Sequence, residues 1–204
     1  MKLTLLSVVA FVCVAATCAS ADTITFTFSS TPGTTTTANY TGSDGVTMIT
    51  ATATGTGSPD LFFKNHGGNE TGLGLTCTTC DSDREINPGQ SIMFDLSSLF
   101  SHHITSLTLT LGSIQAGETG QVCDSNKMCI TFNSSENGKA VDITSLYDDM
   151  LKSSSGTLTI TAPSGDVLIN ELVATSSVPE PSSVLFLGTG VFMMAGAIRK
   201  RLGI

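Results

Sequence analysis

Residues Thr23-Ile24-Thr25-Phe26-Thr27-Phe28 alternate polar and apolar side chains in strict period two. Only an extended strand puts Ile24, Phe26 and Phe28 on one side and the threonines on the other, because successive Cβ atoms point to opposite faces of a sheet. A strand with one apolar face must be covered by a second layer of structure. The same signature returns at Val46–Ala53, Ser91–Leu96, Ile104–Leu111, Met128–Phe132, Gly156–Ala162 and Val167–Ala174, and Gly, Pro, Asn, Asp and Ser fill the gaps. Helical periodicity is confined to Ser145–Lys152, about two turns. The Thr34–Thr37 run reads as a loop and Thr50–Gly57 as a strand of modest stability. Seven or eight short strands with little helix predict an all-β fold, an antiparallel β-sandwich.

The two ends follow different rules. Residues 1–21 carry Lys2, the apolar run Leu3–Ala16 and the small-residue stretch Ala19-Ser20-Ala21, the three zones of a secretory signal peptide with cleavage after Ala21. Cys18 lacks the preceding Leu and final small residue of a lipoprotein site. At the other end, Val184–Ile198 is uncharged and mostly apolar, and Arg199-Lys200-Arg201 follow at once. Taken from Ser182, residues 182–198 make a transmembrane helix about 25 Å long, at the lower limit for a hydrocarbon core of about 30 Å. The basic cluster 199–201 holds the C-terminus on the cytoplasmic side and leaves the preceding chain outside. One β-sandwich domain, residues 22–177, lies between the two ends.

Immediately before the apolar segment stand Val178-Pro179-Glu180-Pro181. Two prolines remove backbone donors and fix φ, so this stretch cannot continue a helix and stays extended and accessible. The order Pro-Glu-Pro, apolar span with Gly188 and Gly190, then Arg199, Lys200 and Arg201 resembles the PEP-CTERM sorting signal, over residues 178–201. The resemblance implies a Gram-negative-type envelope, transient inner-membrane anchoring, processing by an exosortase, and delivery to the cell surface or an exopolysaccharide matrix. The stretches Gly72–Leu75 and Ile92–Leu96, joined by an acidic loop, loosely resemble the jelly-roll-like bodies of such proteins.

The body 22–177 holds sixteen acidic and five basic residues, a net charge of −11. Such a surface repels phosphate backbones, and nucleic acid is not an expected partner. Four cysteines follow the signal: Cys77, Cys80, Cys123 and Cys129. In an exported protein an even number favours two disulfides; three pairings exist, and the local one, Cys77–Cys80 with Cys123–Cys129, is preferred. A zinc site built from all four cysteines meets an unfavourable C-x5-C spacing and an oxidising compartment, and a thioredoxin-like role for Cys77-Thr78-Thr79-Cys80 lacks a strand-to-helix setting.

Asp81, Asp83 and Glu85 place carboxylates at every second position of a loop, a pattern of hard ligands suited to a structural Ca²⁺. It departs from an EF-hand, because Ile86 and Ile92 stand where Gly and Glu are needed. His66 lies in a turn, and His102-His103 in a polar break between strands. No G-x-S-x-G elbow occurs, and Glu70, Glu85, Glu118 and Glu171 offer carboxylates but no pair marked by sequence. No catalytic residue is therefore assigned. The expected function is that of a non-catalytic structural or adhesive protein of the surface or matrix. The alternatives are a carbohydrate-binding module, disfavoured by the shortage of exposed aromatics, and a secreted hydrolase.

Overall fold

The computed structural model describes residues 21–29, 35–79 and 82–177. Residues 1–20 of the predicted signal peptide 1–21, the sorting motif Val178–Pro181, the helix 182–198, the basic cluster Arg199–Arg201, Cys80 and Asp81 all lie outside the described residues. One unit runs from Thr23 to Ser176; the other, 1–22 with 177–204, falls almost wholly outside that range.

Twelve strands are present among the described residues, more than the seven or eight that alternation alone reveals. They are β1 Thr23–Thr27, β2 Thr37–Thr41, β3 Met48–Gly55, β4 Asp60–Asn65, β5 Thr71–Thr76, β6 Gln90–Asp95, β7 Ile104–Gly112, β8 Thr119–Asp124, β9 Cys129–Asn133, β10 Ala140–Asp142, β11 Thr157–Ser164 and β12 Leu168–Ser176. One α-helix, α1, spans Thr144–Ser153, and 3-10 turns cover Gly68–Glu70 and Ser97–His102.

The strands form two antiparallel sheets of six. In the first the order is β10-β7-β12-β5-β4, and β1 also pairs with β12. In the second it is β2-β3-β6-β11-β8-β9. The inward residues of both sheets join one apolar cluster: Ile24, Phe26, Leu73, Leu109 and Leu172 from the first, Ile49, Phe94, Val122, Phe132 and Ile160 from the second. Phe28 continues the face begun by Ile24 and Phe26, and its ring meets Tyr40 edge-on at 4.9 Å and Phe94 at 5.2 Å. Such offset contacts suit the aromatic quadrupole. Amphipathic α1 adds Leu146, Tyr147 and Met150 to the core, and Tyr147 Oη donates to the Leu99 carbonyl at 2.9 Å.

The strands missed by alternation have reasons. In β5, Thr-Gly-Leu-Gly-Leu-Thr, the leucines point into the core, while the Gly72 and Gly74 side faces other backbone. A Cβ at Gly74 would collide with the Arg84 carbonyl oxygen, and one at Gly72 would lie 2.6 Å from that of Ile169. Glycine lets the Arg84–Ile86 segment lie directly on β5. That segment is then fixed by a reciprocal backbone pair, Ile86 N to Val167 O at 2.9 Å and Val167 N to Ile86 O at 3.2 Å. Pro163 lies in β11 where the register with β8 shifts between Thr161 and Ser164, as expected of a residue without an amide hydrogen.

Candidate functional site

Two places concentrate polar chemistry. The first lies where the Arg84–Ile86 segment crosses the first sheet. Lys64, on β4, is 7% exposed, and Glu85 is 2% exposed. Two buried charges are stable only when paired, and Lys64 Nζ donates to Glu85 Oε1 and, at 2.9 Å, to Glu70 Oε2. The hydroxyl of Ser113, buried just beyond β7, stands 2.9 Å from both Glu70 Oε1 and Glu85 Oε1. Ser113 carries one hydroxyl proton, so it donates to one carboxylate at a time.

Asp166, beside Val167, adds a third acid, and Asp83 a fourth. Burial first, then hydrogen bonds with Asp83 and Glu85 and the nearby charge of Glu118, push Asp166 up to about 8. Asp166 therefore keeps its proton at neutral pH and presents an O–H to its neighbours. Glu85 Oε2 is buried without a hydrogen-bond partner, so an acidic proton nearby suits it. Burial raises the Glu85 carboxyl; the bonds from Lys64, Ser113 and Asp166 oppose that rise. Glu70 is held below its usual range, chiefly by the Lys64 hydrogen bond. For Lys64, burial works against the charge, but the bonds to Glu85 and Glu70 outweigh it and raise its pKa.

Of the calcium ligands expected from sequence, Asp83 and Glu85 thus meet at Asp166, with Glu85 turned inward onto Lys64. Asp81 lies outside the described residues, and among the described residues no group of three or more His, Cys, Asp or Glu side chains is arranged to hold a metal ion. Glu70 and Glu85, two of the four carboxylates noted for a hydrolase, are brought together by Lys64 and Ser113. Glu118 contributes charge near Asp166, and Glu171 sits on β12 opposite Thr27. Sequence reasoning missed Lys64, Ser113 and Asp166. The only hint was a lysine directly after the apolar Leu61-Phe62-Phe63.

The cysteines and histidines are also placed. Cys123 and Cys129 form a disulfide across the β8–β9 hairpin, with S–S 2.06 Å and Cα–Cα 4.1 Å. Cys77 is disulfide-bonded as well. His66 is exposed in its turn, while His102 Nε2 lies 3.2 Å from Thr47 Oγ1, whose hydroxyl also bonds the Asp44 carboxylate.

The second place is the outer face of the second sheet. Strand registers align most of its outward side chains into three rungs, with Thr41 and Met48 paired beside the first. One is Asn39, Thr50, Asp95 and Thr157. The next is Thr37, Thr52, Met93, Thr159, Cys123 and Cys129, ending at the disulfide. The third is Thr54, Ser91, Thr161, Gln121 and Thr131. Neighbouring hydroxyls are tied together: Thr50 Oγ1 donates to Asn39 Oδ1 at 2.9 Å, and Thr54 and Ser91 hydroxyls are 2.7 Å apart. Between β3, β6 and β11 lies a groove of about 210 Å³ lined by Thr50, Thr52, Met93, Phe94, Asp95 and Thr157.

Among the described residues no helix is long and apolar enough to cross a membrane. Residues 177–201 match the family model of the PEP-CTERM protein-sorting motif. No curated protein and no solved structure matches the chain.

Proposed function

We propose that this chain is an exported, non-catalytic structural or adhesive protein of the cell surface or extracellular matrix. The premise is the PEP-CTERM motif at residues 177–201, which implies exosortase-dependent sorting of an exported protein held transiently at a membrane. In this reading exosortase acts near Pro179-Glu180-Pro181 in a Gram-negative-type envelope. Residues 182–198 anchor the precursor, and Arg199, Lys200 and Arg201 stop its transfer.

The non-catalytic part of the reading is supported by how the acidic groups are used. Glu85, the carboxylate best placed beside a second one, is engaged by Lys64 and is almost wholly shielded from solvent. A hydrolase needs carboxylates that a substrate can reach. The matrix part of the reading is supported by the Cys123–Cys129 disulfide, which suits an oxidising exterior. The alternative, a carbohydrate-binding role, draws on the groove of the second sheet.

The test is fractionation of the native host expressing either wild-type protein or a variant with Pro179, Glu180 and Pro181 replaced by alanine. The reading expects wild-type protein at the surface or in the medium, and the variant retained with the inner membrane. Identical distributions would refute it.

A further inference from the structure

We infer that the outer face of the second sheet, centred on the groove between β3, β6 and β11, binds a neutral polysaccharide chain. This rests on the reading that the body works at the surface or in an extracellular matrix and adds the ligand class and the residues that hold it.

Charge narrows the choice of occupant. The body carries a net −11, yet the three rungs contain a single ionisable side chain, Asp95, and no cation. A polyanion finds no counter-charge there and meets a repulsive field. A protein partner needs a buried anchor, normally aromatic or arginine, surrounded by apolar contact. This face offers no aromatic or arginine anchor: its large apolar side chains are Met93, 36% exposed, and Met48, 52% exposed at the end of β3.

What the face does offer fits a sugar chain. Threonine and serine hydroxyls both donate and accept, asparagine and glutamine amides do the same, and Asp95 is a strong acceptor for a sugar hydroxyl. Asp95 is held in place, since its Oδ1 accepts from Ser97 N at 2.9 Å. Threonine is stiff at χ1, so little rotamer freedom is lost on binding. Its methyl group, with the Met93 thioether, supplies apolar surface for the C–H face of a pyranose. The groove, at about 210 Å³, is smaller than the roughly 300 Å³ of an enclosing small-molecule pocket. It suits one stretch of a longer chain that continues along rungs spaced about 6.8 Å apart on strands about 4.8 Å apart.

The experiment is affinity electrophoresis of the purified full chain in mild detergent, through gels containing dextran, laminarin, galactomannan or alginate. At least one of the three neutral polymers should retard the protein and alginate should not. Thr52→Lys and Met93→Lys, made separately so that a folding failure in one leaves the other, should each weaken retardation about tenfold with an unchanged melting temperature. The inference is overturned if no neutral polymer retards the chain, if alginate retards it as strongly, or if retardation survives both substitutions. Localisation plays no part in this assay, so its failure leaves the sorting reading intact, and a sorting failure leaves glycan binding intact.

Discussion

The carboxyl of Asp166 lies near that of Glu85, beside the backbone pair that joins Ile86 to Val167, and burial with these acidic neighbours holds it protonated well above its ordinary range. Its pKa is raised from an ordinary aspartate value to about 8, so the folded protein holds a proton that the unfolded chain releases. Stability from this group is complete below about pH 4 and is lost as pH rises toward 8. The raised Glu85 acts in the same direction, whereas the lowered carboxyls of Glu70 and Asp142 matter only in acid. Melting temperature should therefore fall between about pH 5 and pH 8, and Asp166→Asn, which keeps a donor without a charge, should flatten that slope and melt higher at the alkaline end. A wild-type profile that rises across this range would contradict the raised Asp166.

Lys64 is the cation that pairs with this group of acids. Lys64→Met should strip Glu85 of its ion pair and destabilise the fold by about 3 kcal/mol. Adding Glu85→Gln to that variant should recover part of the loss, because no uncompensated buried charge remains. Urea denaturation of the single and double variants measures both effects, and a double variant that is no more stable than Lys64→Met would show that charge is not the cause.

Gly74→Ala tests the close approach of Arg84 to β5. A methyl group placed against a carbonyl oxygen forces the two backbones apart, and overpacking of this kind costs about 1–3 kcal/mol. The denaturation midpoint should fall accordingly. Gly67→Ala is a comparison with free space around the new methyl but a strained positive φ of 87°. It should cost less, since it carries the backbone penalty alone.

The Cys123–Cys129 disulfide closes a loop with a sequence separation of six. Loop-closure entropy for so short a ring is about 2 kcal/mol. Cys123→Ser with Cys129→Ser should lower stability by about that amount, read as a shift in melting temperature relative to oxidised wild type. A shift several times larger would mean that the hairpin does more than close on itself.

The alternation of β1, β6, β7, β11 and β12 was plain in the sequence because each buries one face and presents threonine or serine on the other. β4 was hidden by consecutive Phe62 and Phe63 and by Lys64, a buried charge on the Gly72 side of the sheet that only a distant glutamate explains. β5 was hidden by glycines chosen for backbone clearance, and β8 by Gly120 and Asp124 at inward positions. The acidic group was illegible because Lys64, Glu70, Glu85, Ser113 and Asp166 meet only through the crossing of separate strands and loops. Asp83 and Glu85 were singled out by spacing, but spacing could not reveal Lys64 between Glu85 and Glu70. The hydroxyl face was half legible: its threonines stood out as alternation, while their alignment into rungs depends on register.

The sorting motif remains the premise on which the functional account stands, and mass spectrometry of the protein released by its native host tests it most directly. The account predicts a mature chain that begins at Asp22, ends near Val178–Pro181 and lacks residues 182–204. Released protein that retains Arg199–Ile204 would contradict it.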